Sequence, residues 1–448
     1  MFSRYVFFLS LAIVGFVAAF MLGAFAYRGN HFPIPQIKMA QETLKENFDP
    51  AEDPTFKHLQ PARGQGSGVT RNTVPDADSL VMMAGFFDGE NQVRIVRRDG
   101  SLVWKWSMDY FDHFPDLANR VCDVASPLRV DTHGAHVTPQ GEVLVNYEYC
   151  GTVKVDQCSD VIWRIESPTH HSLVPAEAGG YWILGRKKWA AREAPDRFPP
   201  FSTPANDDLI LEDTLMRISE DGEVLDEISI PIVLLENDLM APVTSGRVEF
   251  LKFRPGRTEL LHANQATELP SALADAFPLF EAGDIAISIR DLNFVFVMDP
   301  DTHEVKWHQT GPWLRQHDAE FRTDGRLSMF NNNTYRNAYR NERTNLKYPF
   351  TTNIIAIDPV SGETEVLFGE RPGEEMLSVI RGQHENLDGN GLLITEFDAG
   401  RVLEVDGAGE VVWEYVNAYD DKNVGEIRNA VVLPGDYFET ELGPCTSD

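Results

Sequence analysis

Five histidines, His136, His171, His262, His317 and His384, each stand at the head of a short strand-like run, and two arginines, Arg186 and Arg290, follow such runs. Imidazoles gathered in one place do two kinds of chemistry. Neutral rings ligate zinc, copper or iron. Alternatively one ring attacks an electrophile while the others, with a guanidinium, hold the anion being moved. Arg290 separates the two readings, because a fixed cation opposes a metal ion beside it but stabilises charge spreading over a sulfuryl or phosphoryl group. Arg186 offers a second cation in a similar place, with a plain salt bridge as the other account of it. Any one histidine alone is an ordinary channel residue satisfied by backbone and water. Five at one phase call for an architecture that brings them together.

The chain's texture supplies one. From Ser79 to about residue 436 it consists of short strand-like runs punctuated by Gly, Asp and Pro, with few long helical patterns, which marks an all-β region. Within it one unit lies over itself six times: a leading His or apolar residue, a Gly turn, an apolar strand, a second strand ending near Asp, another Gly turn and an outgoing strand that often carries Trp. The copies run from Leu80 to Trp104 (without a leading histidine), from His133 and His136 to Trp163, from His170 and His171 to Leu225, from His262 to Trp307, from His317 to Gly362 and from His384 to Trp413. Six four-stranded units predict a six-bladed β-propeller over residues 79–438, with 439–448 as a tail. A lone blade cannot cover its faces, whereas blades stacked round an axis bury them and leave only short edges. Residues at one phase of successive copies then converge on a central channel. The long insertions 105–130, 187–210 and 332–349 become loops on the ring's faces, the last a possible lid. Two β-sandwiches are the competing architecture, ranked lower because the histidine-led phase holds from copy to copy.

The 448 residues carry a formal net charge of -30. Such a surface repels a phosphate backbone, so a nucleic-acid partner is excluded, and an anionic substrate needs a local pocket of Arg and His. Residues 5–27 are apolar and uncharged, between Arg4 and Arg28. That length spans a bilayer, which takes roughly 20 residues, and exceeds a signal peptide's apolar core of about 7–15. An uncleaved transmembrane helix is therefore expected, followed by a stalk over 28–78 with one short helix near 36–47. This anchors the chain to a membrane with its bulk in the periplasm or at the cell exterior. Of the four cysteines, Cys122, Cys150 and Cys158 could hold one disulfide, Cys150–Cys158 being the nearest pair. The outgoing tryptophans Trp104, Trp163, Trp307 and Trp413 read as blade packing.

One block is specific enough to name a likeness. His262-Ala-Asn264, Ser288-Ile-Arg290-Asp-Leu-Asn293 and Gln316-His317-Asp-Ala-Glu-Phe321, continued by Gly325-Arg-Leu-Ser-Met-Phe-Asn-Asn332, resembles the bacterial arylsulfotransferase family, which takes no nucleotide donor. The likeness extends over residues 79–438, including the closing Arg428-Asn-Ala-Val-Val-Leu433. It implies a six-bladed propeller and a ping-pong transfer. His317 would attack the sulfur of a phenolic sulfate, become a sulfohistidine and pass the group to an acceptor phenol. His262 and Arg290 match the family's sulfuryl-binding pair, and His171 a further active-site histidine. Asn264 comes with the His262 motif as a substrate-binding candidate. His136, His384 and Arg186 are added by the repeat phase alone. No metal and no cofactor is called for. Phe330-Asn331-Asn332 stands where the family often has Phe-Asp-Asn, and the short stretch 29–78 replaces an extra N-terminal β-domain of larger members. Two other functions compete: a metal-dependent propeller hydrolase or oxidoreductase using the same histidines, and a non-catalytic binding propeller.

Overall fold

A computed structural model of the chain describes residues 2–29, 53–116, 120–190, 209–245, 257–334, 351–443 and 445, with a few isolated positions between them. The chain forms two units, residues 1–57 with 122–129, and 58–121 with 130–448. The second is the propeller. From the channel outward, blade 2 uses Thr132–Val137, Val143–Tyr147, Gly151–Val155 and Val161–Ile165. Blade 3 uses Thr169–Pro175, Tyr181–Ala190, Leu209–Ile218 and Val224–Ser229, and blade 4 uses Ala263–Glu268, Ile285–Ile289, Phe294–Met298 and Val305–Thr310. Blade 5 follows with His317–Phe321, Leu327–Asn331, Asn353–Ile357 and Thr364–Phe368, and blade 6 with Gln383–Asn386, Leu392–Glu396, Arg401–Val405 and Val411–Val416. Blade 1 is composite. Its inner strand is the C-terminal Ile427–Leu433, beside Leu80–Phe87, Glu90–Arg97 and Leu102–Ser107. Each inner strand touches the next, and the last returns to the first.

The six predicted blades are there, and the first copy's missing histidine is explained: its channel strand comes from the far end of the sequence. Gly68–Asn72 adds a fifth strand outside blade 6, and Leu59–Pro61 pairs with Asn423–Gly425. The expected stalk over 28–78 is thus partly sheet, because edge backbone groups left open by ring closure take up strands from both termini.

Alternation along the strands builds the core. In blade 4, Ile285, Ile287, Ile289, Phe294 and Phe296 face a cluster shared with Leu184, Leu215 and Ile228 of blade 3. The intervening Ala286, Val295 and Val297 face Ala319, Met329 and Ile355 of blade 5. Period-two residues on both faces of a buried sheet give this continuous apolar text. The tryptophans also work between blades. Trp104 Nε1 donates to Gln157 O at 3.0 Å, Trp163 Nε1 to Glu220 O at 2.9 Å and Trp413 Nε1 to Arg98 O at 2.9 Å, each reaching a turn of the next blade. A Cβ on Gly222 would lie 2.6 Å from the Trp163 ring, so this turn has room for glycine alone.

The cysteine and membrane expectations need correction. Cys158 is bonded to Cys445, Cα–Cα 5.6 Å, and no described cysteine is free. Cys150 and Cys158 lie in turns at opposite ends of the strand Gly151–Val155, a separation of about 3.3 Å per residue that no bridge spans. In the N-terminal unit a helix runs from Phe2 to Gly29. Among the described residues, however, no helix is long and apolar enough to cross a membrane, so the expected span over 5–27 is unsupported. The short helix expected near 36–47 and the body of the 332–349 insertion fall mostly outside the described residues.

Candidate active site

The inner strands do not run straight past the channel. Pairing with the second strand slips by at least a residue between His170 and Leu173, Ala263 and Gln265, and His317 and Ala319. Such bulges re-aim the side chain at the slip. Three non-glycine residues there take positive φ: His171 at 53°, His262 at 69° and Asp318 at 57°. Left-handed backbone in such residues costs about 1–3 kcal/mol each and persists where the surroundings hold it. Here they do. Asn146 Nδ2 donates to the His171 and Ser172 carbonyls at 3.2 and 3.1 Å, and a Cβ on Gly134 would lie 2.5 Å from His171 O, so only glycine lets blade 2 approach this bulge.

Four imidazoles gather as a result. The His171 ring lies 4.2 Å from His133, 5.0 Å from His262 and 6.5 Å from His317, centroid to centroid. His170 stands behind, its Nε2–H donating to Gly185 O at 3.1 Å and its Nδ1 2.9 Å from His171 Nδ1. Burial pushes the pKa of His170 below the imidazole range, and those of His133, His171 and His317 well below it; Arg381 adds to the effect at His133 and Arg290 at His317. These rings are neutral at ordinary pH. With His170 and His171 both neutral, His171 Nδ1–H donates to His170 and the His171 Nε2 lone pair is left over.

His317 Nδ1 lies 2.6 Å from Asn332 Oδ1, and its Nε2, buried, has no partner. His262 Nδ1 donates to Glu259 Oε1 at 2.7 Å, and its Nε2 is likewise unpartnered. Burial pushes Glu259 up, but His262 and Arg186 outweigh it and bring the carboxyl down to about 2. Arg290 spends only Nε, on Asp291 at 3.0 Å; its terminal nitrogens have no partner among the described residues. The loops are tied to one another. Arg290 N donates to His262 O at 3.1 Å, Asn264 Nδ2 to Gln316 O at 2.8 Å, and Gln316 Nε2 to Ser288 Oγ, Ile289 O and Phe294 O. The site therefore combines a neutral ring with a free lone pair, a second imidazole nitrogen and an open guanidinium fork. That set can attack an electrophile and hold the anion that carries it.

The sequence candidates divide. His171, His262, His317 and Arg290 come together, and Asn264 supports the loop behind His317. Arg186 is close by but occupied: it bonds Asp213 at 2.8 and 3.0 Å, pairs with Glu259 and lies 4.1 Å over the Tyr149 ring. It positions the partner of His262 rather than facing the channel as a free cation. His136 and His384 are elsewhere. His317 and His170 pair with the fourth residue of the neighbouring strand, Phe330 and Leu184, whereas His384 pairs with the third, Ile394, and His136 with the second, Leu144. They sit deeper, lining a separate cavity of about 430 Å³ with Asp318, Glu320 and Glu385. His133 and His170 were the missed members. The paired spacings His133–His136 and His170–His171 are the signal that pointed to them. Among the described residues no group of three His, Cys, Asp or Glu is arranged to hold a metal ion.

The sequence model of a family described as arylsulfotransferase (ASST) matches residues 135–418. No curated protein matches the chain. Solved structures match the chain at low identity. A Bacteroides caccae protein of unknown function is 13% identical over 79% of this chain and 98% of its own, TM-score 0.48. Virginiamycin B lyase from Staphylococcus aureus is 12% identical over 64% and 71%, TM-score 0.35.

Proposed function

This chain belongs to the arylsulfotransferase family, and from that premise we propose that it moves a sulfuryl group from an aryl sulfate to a phenolic acceptor through a sulfohistidine at His317. The observation that carries this reading is the unpartnered Nε2 of a neutral His317 beside the open fork of Arg290. The Nε2 lone pair forms the N–S bond as the aryl S–O bond breaks, and the aryl oxygen leaves with the electron pair as phenolate. In the second half the acceptor oxygen attacks sulfur, the N–S bond breaks and the lone pair returns to His317. The acceptor's proton goes to a neutral imidazole, for which the His171 Nε2 lone pair is free. Arg290 donates to the sulfuryl oxygens, and His262, carrying a proton on both nitrogens with Nδ1–H held by Glu259, donates from Nε2 beside it, where preorganised donors stabilise the charge of the transition state.

The Cys158–Cys445 disulfide favours an oxidising compartment, periplasm or cell exterior. Attachment to a membrane through the apolar N-terminal helix is proposed on the sequence alone.

The test incubates the full chain with a chromogenic aryl sulfate, with and without a phenol. Acceptor-dependent release of the donor phenol, together with a sulfuryl adduct mapped to the peptide holding His317, is expected. Release without an adduct, or stoichiometric bound metal needed for turnover, would overturn the covalent route.

A further inference from the structure

A nucleophilic histidine must be neutral, and the correct nitrogen must carry the lone pair. Both conditions are set by what faces the other nitrogen. Behind His317 stands Asn332, at the end of the second strand of blade 5, fully buried. Its amide has no freedom. Nδ2 donates to two backbone carbonyls of the loop leading into blade 6, Ser378 O and Arg381 O, each at 2.8 Å. A flipped amide would set its oxygen against both carbonyls, so Oδ1 must face His317, where it can only accept. The proton of His317 is thereby placed on Nδ1, and Nε2 is left as the lone pair. The loop is itself held: Thr352 Oγ1 donates to Asn332 O at 3.1 Å and accepts from Ser378 N at 2.9 Å.

We infer that Asn332 is the positioning residue that fixes the tautomer of His317, and that an amide rather than a carboxylate stands there because the ring works as a nucleophile. This rests on the sulfuryl-transfer reading above for its purpose, though not for its geometry. In hydrolytic triads a carboxylate partners the histidine and stabilises the imidazolium that forms. A carboxylate here would favour the charged ring, which has no lone pair to give. Asn332 orients the ring without supplying charge. The low-dielectric surroundings and Arg290 push His317 down and outweigh the hydrogen bond to Asn332, which pushes it up.

The direct test is long-range proton–nitrogen NMR on the full chain with labelled histidine, His317 being assigned by its loss in His317→Gln. Wild type should show Nδ1 protonated and Nε2 bare from neutral pH down past the ordinary imidazole value. In Asn332→Ala the ring should show both tautomers, and kcat should fall roughly 100-fold with KM little changed. In Asn332→Asp the acid limb of kcat/KM should move to higher pH, with activity partly restored on the alkaline side. A role limited to holding the fold would lower activity without moving that limb. Wild-type Nε2 found protonated, or a pH profile unmoved in the folded Asp variant, would overturn the inference even if Asn332→Ala failed to fold. The expected tautomer in a protein without aryl sulfate turnover would instead sink the functional reading and leave this one standing.

Discussion

Blades 5 and 6 both begin with Gln-His, and the two histidines have opposite fates. In blade 5 the strand slips after His317, Asp318 takes φ 57°, and the imidazole turns toward the histidine cluster with Nε2 bare. In blade 6 the pairing Gln383↔Thr395 to Asn386↔Leu392 runs without a slip. His384 then lies one residue deeper in register, its Nε2 2.7 Å from Ser328 Oγ and its Nδ1 2.8 Å from Asp318 Oδ2, a distance without hydrogen-bond alignment. The same dipeptide presents a bare Nε2 in one blade and a bonded one in the next. One extra residue in the strand decides which.

The largest effect follows from that contrast. His317→Asn should reduce aryl sulfate turnover by at least about 10⁴-fold, as removal of a nucleophile does, while His384→Gln costs less than about 10-fold. Equal losses, measured as kcat/KM on folded protein, would abolish the distinction. Arg290→Ala comes next, about 10²–10³-fold in kcat, the usual worth of a preorganised charge donor. A loss confined to KM would mean that Arg290 binds ground state and transition state alike.

The smallest effect sharpens the difference between the two levels of the channel. Burial lowers His136 to about 4 and raises Glu385 to about 7. The lowered His136 contributes stability that is full above its unfolded value near 6.5 and is lost as pH falls toward 4. The raised Glu385 contributes stability that is full below its unfolded value near 4.5 and is lost as pH rises through 7. Thermal unfolding against pH should therefore flatten between about pH 4 and 6.5 in His136→Gln and between about pH 4.5 and 7 in Glu385→Gln, each by on the order of 1 kcal/mol. Turnover should stay within about 10-fold in both. A slope unchanged in either variant would remove that residue from the account.

Most of the fold was legible because alternation and turn residues repeat with the blade. Ile285 to Ile289 reads as a strand buried on both faces, and it is one. His262, Arg290 and His317 were legible too, as each belongs to one sequence block and the loops that hold them are bonded to one another. Other residues were hidden for physical reasons. A bulge adds a residue without changing composition, so the repeat placed His136 and His384 beside His317 although they lie deeper. Arg186 looked like a free cation because its partners Asp213 and Glu259 are 27 and 73 residues away. The bridge from Cys158 crosses 287 residues, where nearness in sequence favoured Cys150.

The composite first blade has a consequence for synthesis. A ribosome that has just added residue 420 has produced every strand of blades 2 to 6, while blade 1 lacks its channel strand until Ile427–Leu433 emerges. The nascent chain at that point is an open arc with two raw edges, and Arg428, whose guanidinium bonds Asn91, Thr132 and His58, has yet to arrive. Ring closure thus waits for the strand Ile427–Leu433. A truncation that removes Ile427–Leu433 should be as damaging as one in the middle of the propeller.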